Sequence, residues 1–279
     1  MASGAGHKTS SRRLVAGIFL LGVAVLLGWN AHDLSVAYGE FRSVERLLPD
    51  LPQVHSVTPR RGADFPEKVW AHRVNSVKRA VLMAKRYKGM EIDVVYDSSA
   101  NYFDVGHPPV PSAGLSLDRL FAAVPDITGH YFWIDVKNLT DANARAACGL
   151  LLSIARKYGI VSHLIVESTN PGALSSFTDS GFYTSYYLFP VSSLHTMDAE
   201  QVTKYYHEVK DNLAASNVKA LSSSYRSVPF TEKYFPDMDI LLWYLERDKD
   251  LRYHAVLTYL KRKSRVKVVL VKQPSDGYR

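Results

Sequence analysis

Three carboxylates in the chain have a spacing that suits ligands of a divalent metal ion. Glu91 and Asp93 stand two residues apart in the run MEIDVVYD, and Asp135 stands in the run YFWIDVKN. Side chains two apart in a strand point to the same face, so one strand can present both of its acids to one side. Several carboxylates pointing into a barrel are costly to bury unless a cation lies among them. Hard oxygen ligands of this kind favour Mg²⁺ or Ca²⁺ over a thiolate-seeking metal.

Basic side chains accompany these acids. Lys137 stands two residues after Asp135, so D-x-K repeats the spacing of the earlier E-x-D. His72 and Arg73 precede the acids in the stretch WAHRVNS, and His107 lies between the two acidic runs in GHPP. Taken alone, E-x-D is most simply interpreted as part of a strand-end salt bridge. The acids, the lysine and the histidines on either side together favour an anion-handling site.

Apolar, β-branched or aromatic runs alternate with helical segments from Lys68 onward, which predicts βα units and a parallel sheet. Strands are predicted at 69–74, 90–97, 131–138, 163–169, 182–189, 219–225, 239–246 and 266–272. Eight strands with alternating helices predict a compact (β/α)8 TIM barrel, in which chemistry is built at the carboxyl ends of the strands. The sixth connection predicts only a short helix. The alternative fold is an open doubly wound sheet, but the chain lacks the glycine-rich phosphate turn of a dinucleotide site.

Further polar or aromatic residues fall at or near these predicted strand ends. Asn75 follows the first strand, Glu167 lies in the fourth and Trp243 in the seventh. Asn75 either orients the site or caps the helix that follows. Four tyrosines are interpreted as packing or as an aromatic rim around a lipid headgroup: Tyr186, Tyr187, Tyr205 and Tyr206.

The N-terminal segment predicts a membrane anchor. Leu14 to Trp29 contains no charge, and Lys8, Arg12 and Arg13 precede it. This run is close to the ~20 residues that a spanning helix needs, and the positive-inside rule places the short tail in the cytoplasm. A cleaved signal peptide and a buried soluble helix are the alternatives. The predicted division is a cytoplasmic tail (1–13), a signal-anchor helix (14–30), a connector (31–65) and a barrel (66–275).

Bulk composition restricts the remaining classes of function. The chain has 279 residues, of which 47% are hydrophobic and 22% charged, and its net charge of +7 is modest. A block of Lys/Arg residues interleaved with aromatic residues is typical of a nucleic-acid-binding groove. The sequence has no such block, so nucleic acid is not an expected partner. The one cysteine, Cys148, excludes an internal disulfide.

From the predicted N-terminal anchor we expect a single-pass membrane protein with an extracytoplasmic barrel, facing the periplasm of a bacterium or an equivalent space.

Four motifs in order, HRVNS, EIDVVYD, GHPP and WIDVK, resemble the glycerophosphodiester phosphodiesterase-like superfamily of barrels. That superfamily of phospholipase C-like phosphodiesterases includes the sphingomyelinase D enzymes. The compact H-x-V-N opening, GHPP and D-x-K are most similar to the menorin-like proteins. The resemblance covers about 68–273. The chain differs from glycerophosphodiesterases at two positions. They have an acidic residue where this chain has Val74, and an aspartate where it has Pro108.

The resemblance implies a role for each of these residues. His72 and His107 become the catalytic pair, Glu91, Asp93 and Asp135 the metal ligands, and Lys137 a phosphate-facing cation. Arg73 is implied to contact phosphate, Asn75 to orient the site, and Trp243 to lie near the substrate headgroup.

The first hypothesis is a metal-dependent phosphodiesterase that acts on a glycerophosphodiester or a phospholipid headgroup by paired-histidine acid–base catalysis. The second is a catalytically silent barrel that binds a lipid or a protein partner through the same cavity. The third is a glycosidase that uses Glu91 and Glu167, which would leave the histidines and Lys137 without a role. The sequence makes no prediction of the oligomeric state.

Overall fold

The computed structural model describes residues 44–55, 64–188, 194, 196–246 and 249–273, together with isolated positions between 28 and 42. The described strands are β1 (Val69–Ala71), β2 (Gly89–Asp97), β3 (Tyr102–Val105), β4 (Tyr131–Val136), β5 (Leu164–Ser168), β6 (Tyr183–Tyr187), β7 (Ala220–Ser224), β8 (Asp239–Tyr244) and β9 (Val266–Val271). All except β3 run parallel, and β1 pairs with both β9 and β2, so eight strands close into a barrel. β3 pairs antiparallel with β2 outside that circuit.

Helices connect the strands along the outside of the barrel. They are α1 (Val77–Ala84), α2 (Leu117–Ala123), α3 (Asp141–Tyr158), α4 (Ser175–Asp179), α5 (Ala199–Ala214), α6 (Val228–Tyr234) and α7 (Leu251–Arg262). Several of these helices have a polar N-cap residue. The Ser76 hydroxyl accepts a hydrogen bond from the Arg79 amide at the start of α1, and Asp198 and Gln201 form a capping box at the start of α5. These caps place each helix start directly after a loop at the carboxyl face.

Large apolar side chains fill the barrel below its carboxyl face. Trp70, Trp133, Ile165 and Leu241 point inward and are fully buried in one cluster. The indole of Trp70 lies against the backbone of Gly89, where an added Cβ would come within 1.9 Å of the ring. A side chain at Gly89 would therefore displace the indole from the barrel floor. This packing fills the barrel interior below the carboxyl ends of the strands.

The structure confirms the predicted closed barrel of eight parallel strands with alternating helices. The sixth connection is the short helix α6, in agreement with its weak pattern. Two details differ from prediction. The first strand was predicted over 69–74 but β1 ends at Ala71, because Arg73 adopts a left-handed φ of 53° that is incompatible with a strand. The antiparallel strand β3 was not predicted.

The predicted signal-anchor helix, 14–30, lies outside the described residues except for Gly28, as does the predicted tail, 1–13. Within the part of the chain that the structure describes, no helix has the length and apolar character needed to cross a bilayer. The division into tail, anchor, connector and barrel stays a prediction.

Candidate active site

A cavity of about 140 Å³ opens at the carboxyl ends of the strands, where barrels of this type build chemistry. It is lined by His72, Arg73, Glu91, Asp93, His107, Asp135, Lys137, Glu167, Tyr187, Trp243, Leu245 and Leu270. The structure thus brings together every predicted site residue except Asn75. That residue does not line the cavity but forms hydrogen bonds with Asp93, which does. Sequence reasoning did not identify Leu245 and Leu270 as lining residues. It considered Glu167 only for a glycosidase and Tyr187 mainly as packing.

The register of the strands brings the acids together. Asp93 on β2 is the register partner of Asp135 on β4, and Asp135 is the register partner of Glu167 on β5. Glu91 lies two residues before Asp93 and faces the same way. The candidate ligand atoms of Glu91, Asp93 and Asp135 all lie within 4.8 Å of one another, and all three residues are at most 6% exposed. Three convergent carboxylates at this separation fit a divalent cation.

Two of these carboxylates are held by the segment that follows β1. The amide of Arg73 donates a hydrogen bond of 2.8 Å to Glu91 Oε2. Asn75 Nδ2 donates to Asp93 Oδ2 at 2.7 Å, and the Asp93 amide donates to Asn75 Oδ1 at 3.0 Å. The N-cap of α1 is Ser76. Of the two roles predicted for Asn75, the structure therefore places it beside an acid and not at the helix cap.

Lys137 contacts two of the acids directly. Its Nζ lies 2.7 Å from Asp93 Oδ1 and also forms an ion pair with Asp135. Burial lowers the pKa of Lys137, but the charges of Asp135 and Asp93 raise it by more, so the net pKa lies above its usual value. The ammonium is therefore charged at neutral pH and sits at the edge of the acidic cluster.

Glu91 and Asp135 have raised pKa values because the site is buried and dense in negative charge. Burial raises the pKa of Glu91 well above its usual range, and Asp93 and Asp135 raise it further. Burial also raises the pKa of Asp135, although Lys137 opposes that rise. The single positive charge of Lys137 therefore does not neutralise the negative charge of the acidic cluster. A divalent cation would remove the remaining repulsion between the carboxylates. The donor set is consistent with such an ion.

His72 is a buried imidazole beside the acids. Its Nε2 lies 3.5 Å from Glu91 Oε2. Burial, followed by the charge of Arg73, lowers the pKa of His72 to about 3. The ring is consequently neutral at pH 7, so the contact with Glu91 is not an ion pair. A neutral imidazole in this position can accept a proton.

His107 reaches the same cavity from the loop after β3. Its Nδ1 lies 2.6 Å from the carbonyl oxygen of Pro108. A carbonyl can only accept a hydrogen bond, so Nδ1 carries the proton and Nε2 is the nitrogen that remains for chemistry. Electrostatic interaction with His107 lowers the pKa of Asp135, and both residues line the cavity. The two histidines therefore enter the cavity from different loops.

Aromatic side chains form another wall of the cavity. Tyr187 and Trp243 meet edge to face with ring centroids 5.0 Å apart. Burial, followed by the charge of Glu167, raises the pKa of Tyr187 to about 12. Tyr187 lies two residues after Ser185 on the inward face of β6, and that alternation is the sequence signal that could have placed it in the cavity.

No protein-family model matches the chain, and no curated protein matches its sequence. Solved structures do match its fold. A glycerophosphodiester phosphodiesterase from Parabacteroides distasonis superposes with a TM-score of 0.50 at 13% identity, covering 73% of this chain and 92% of that one. A protein assigned as a glycerophosphoryl diester phosphodiesterase from Silicibacter pomeroyi gives 0.51 at 14% identity, covering 82% and 93%. Another, from Agrobacterium tumefaciens, gives 0.52 at 11% identity, covering 74% and 92%.

Likeness at such low identity demonstrates a shared fold and nothing about the reaction. The closer resemblance to menorin-like proteins stays a prediction. What the comparisons show is that the chain has a (β/α)8-barrel fold similar to that of solved glycerophosphodiester phosphodiesterases.

Proposed function

We propose that this protein is a metal-dependent phosphodiesterase that cleaves a glycerophosphodiester or a phospholipid headgroup. One observation carries the proposal: His72 and His107 share a single cavity with three convergent carboxylates and Lys137. A phosphodiester is a stable anion, so its cleavage needs positive charge at the phosphoryl oxygens and proton transfer at the entering and leaving oxygens. The cavity contains groups for each of these tasks. The fold that it shares with glycerophosphodiester phosphodiesterases agrees with this assignment.

Glu91, Asp93 and Asp135 would hold the cation. When bound, a divalent ion neutralises charge on a non-bridging phosphoryl oxygen. Lys137 and Arg73 add positive charge on the same side of the cavity, and both contact Asp93, so the acids hold them in place. Mg²⁺ and Ca²⁺ are both compatible with three carboxylate oxygens.

The two histidines are proposed to divide the proton transfers. His72 is neutral at pH 7, so its ring accepts the proton of the attacking hydroxyl as a new bond forms to phosphorus. Protonated His107 donates the proton on Nε2 to the leaving oxygen as the old phosphorus–oxygen bond breaks. Each general acid or base contributes on the order of 10²–10⁴ in rate. Tyr187 and Trp243 would then face the alcohol part of the substrate.

The predicted anchor at 14–30 forms part of the proposal, because it would hold the barrel close to lipid substrates on the extracytoplasmic side of a membrane. A phosphodiester headgroup or a small soluble diester is the proposed ligand. Nucleic acid is not.

The test uses the full chain, stripped with EDTA and then supplied with Mg²⁺, Ca²⁺ or Mn²⁺. Hydrolysis of glycerophosphocholine, glycerophosphoethanolamine and lysophospholipids is followed by phosphorus NMR. We expect metal-dependent turnover that falls by about 10²-fold or more in His72→Ala and His107→Ala. His207→Ala, at an exposed position of α5, is the matched control and should retain activity. Unchanged turnover in both cavity variants would disprove the assignment.

A silent, ligand-binding barrel is the second candidate. Lys137 already supplies an internal cation to Asp93 and Asp135, and Val74 stands where glycerophosphodiesterases have an acid. This candidate predicts that Mn²⁺ and phosphate esters bind to the full chain while none of the diesters is cleaved.

A further inference from the structure

Glu167 is a buried acid in the cavity to which the proposed reaction gives no task. It is 2% exposed and lines the cavity, yet its Oε2 has no hydrogen-bond partner among the described residues. Burying a carboxyl oxygen without a partner is costly. A ligand that donates a hydrogen bond to this oxygen would remove that cost.

Glu167 does not belong to the candidate metal cluster. Among the described residues, the set of acids whose ligand atoms lie within 4.8 Å of one another comprises Glu91, Asp93 and Asp135 alone. Glu167 is a register partner of Asp135, but it stands one strand further around the barrel. Glu167 therefore lines the cavity on the side of β5, outside the candidate metal cluster.

A second buried polar side chain, on the strand next to β5, also lacks a hydrogen-bond partner among the described residues. Ser185 on β6 is the register partner of Glu167, it is fully buried, and its hydroxyl has no hydrogen-bond partner among the described residues. A carboxyl oxygen accepts a hydrogen bond, whereas a hydroxyl both donates and accepts. Ser185 does not line the cavity, so the Glu167 oxygen is the group that meets a ligand, and it complements a hydrogen-bond donor such as a hydroxyl.

A cationic ligand group fits this position poorly. Lys137 is charged and pairs with Asp135, the neighbour of Glu167, so a second ammonium there would be repelled. The rings of Tyr187, on the neighbouring strand β6, and Trp243, on β8, line the same cavity, whose volume is about 140 Å³. These features fit a short alcohol whose hydroxyl group faces β5 and whose carbon chain faces the aromatic rings.

We propose that Glu167 is a specificity-determining residue whose Oε2 binds a hydroxyl group on the alcohol portion of the phosphoester ligand. This inference rests on the proposed function for the position of the phosphate. It adds that the substrate carries a free hydroxyl within reach of β5 and that diesters of simple alkyl alcohols are poor ligands.

The test is a binding experiment, so it does not depend on turnover. Mn²⁺-loaded full chain is titrated calorimetrically with 2-hydroxyethyl phosphate and with propyl phosphate, which match in size and charge and differ in one hydroxyl. We expect the hydroxyl ligand to bind about 10- to 100-fold more tightly, because it supplies a partner to a buried carboxyl oxygen that otherwise has none. Glu167→Leu should abolish that preference. Thr184→Val, buried on the other face of β6, should retain it.

Equal binding of the two esters by the wild type, or an unchanged preference in Glu167→Leu, would overturn the inference. If Glu167→Leu does not fold, Glu167→Met takes its place and should reduce the preference, because a thioether is only a weak hydrogen-bond acceptor. An unchanged preference in that variant would also overturn it.

Mn²⁺ affinity is measured in the same variants. It should stay within about threefold of the wild type, and a loss of tenfold or more would make Glu167 a metal ligand and refute the assignment. Hydroxyl selectivity without any hydrolysis would contradict the phosphodiesterase proposal and leave this inference standing.

Discussion

Asn75 binds Asp93 at two points, one on its side chain and one on its backbone. Asn75 Nδ2 donates to Asp93 Oδ2 at 2.7 Å, and the Asp93 amide donates to Asn75 Oδ1 at 3.0 Å. A carboxylate held in this way has one defined orientation before any cation arrives. Partners that orient a ligand commonly change metal affinity by about 10- to 100-fold when they are removed.

We therefore expect Asn75→Ala to weaken Mn²⁺ binding by about tenfold, measured by calorimetry on the full chain. Asn138→Ala is the matched control. The Asn138 side chain also makes two hydrogen bonds to one residue, accepting from the Tyr96 amide at 2.8 Å and donating to the Tyr96 carbonyl at 2.9 Å. Both variants should lose similar stability, but only Asn75→Ala should lose metal affinity. Equal Mn²⁺ affinity in the two would show that Asn75 does not orient a ligand.

Arg73 gives a prediction that separates backbone from side chain. Its φ of 53° is left-handed, and this turn presents its amide to Glu91 Oε2. A residue with a Cβ is strained there, whereas glycine is not. Arg73→Gly should therefore be more stable than Arg73→Ala by about 1 kcal/mol in urea denaturation. Both variants lose the guanidinium, so their hydrolysis rates should fall together. Equal stability would contradict the strain argument.

Much of the fold could be predicted because the local pattern and the tertiary structure agree. All eight barrel strands lie within or overlap the predicted runs, since buried parallel strands read as continuous apolar segments. β1 was predicted too long because no composition signal marks the left-handed turn at Arg73. β3 was missed because its four residues, Tyr102–Val105, follow a turn within a stretch that lacks any other strand signal.

The site was predictable where spacing within one strand decides which face a side chain occupies. The pairs Glu91 with Asp93 and Asp135 with Lys137 are of this kind. Contacts between strands depend on register, which the sequence does not specify. The ion pair from Lys137 to Asp93 depends on the pairing of β2 with β4. The unpartnered oxygen of Glu167 depends on every neighbour around it, so no local pattern could indicate it.

Lys137 is expected to affect metal binding and catalysis in opposite directions. Its ammonium contacts both Asp93 and Asp135, so it repels a cation at the same acids. Lys137→Met should raise Mn²⁺ affinity by about tenfold, because one nearby positive charge is removed. It should lower the hydrolysis rate by about 10²-fold, because the phosphoryl group loses a fixed cation.

Calorimetry and phosphorus NMR on the same preparation test both effects of Lys137. Lys157→Met is the control, since Lys157 pairs with Asp118 on the exposed surface. A parallel fall in Mn²⁺ affinity and in rate would instead mean that Lys137 holds the acids in position.

The neutral state of His72 has a consequence for stability. Its pKa in the folded protein is about 3, chiefly because it is buried, whereas an unfolded histidine has a pKa of about 6.5. Between these values the unfolded chain binds the proton and the folded chain does not. His72 therefore contributes stability that is fully present above pH 6.5 and is lost as pH falls toward 3.

The measurement compares wild type with His72→Gln by urea denaturation in EDTA at pH 7.5 and pH 5.5. From the linkage relation, the wild type should lose about 1–1.5 kcal/mol more than the variant over this interval. His254→Gln, at an exposed position of α7, is the control and should follow the wild type. Other titrating groups are common to all three proteins, so they cancel in the comparison. If wild type and His72→Gln lose equal stability between these two pH values, burial does not lower the pKa of His72.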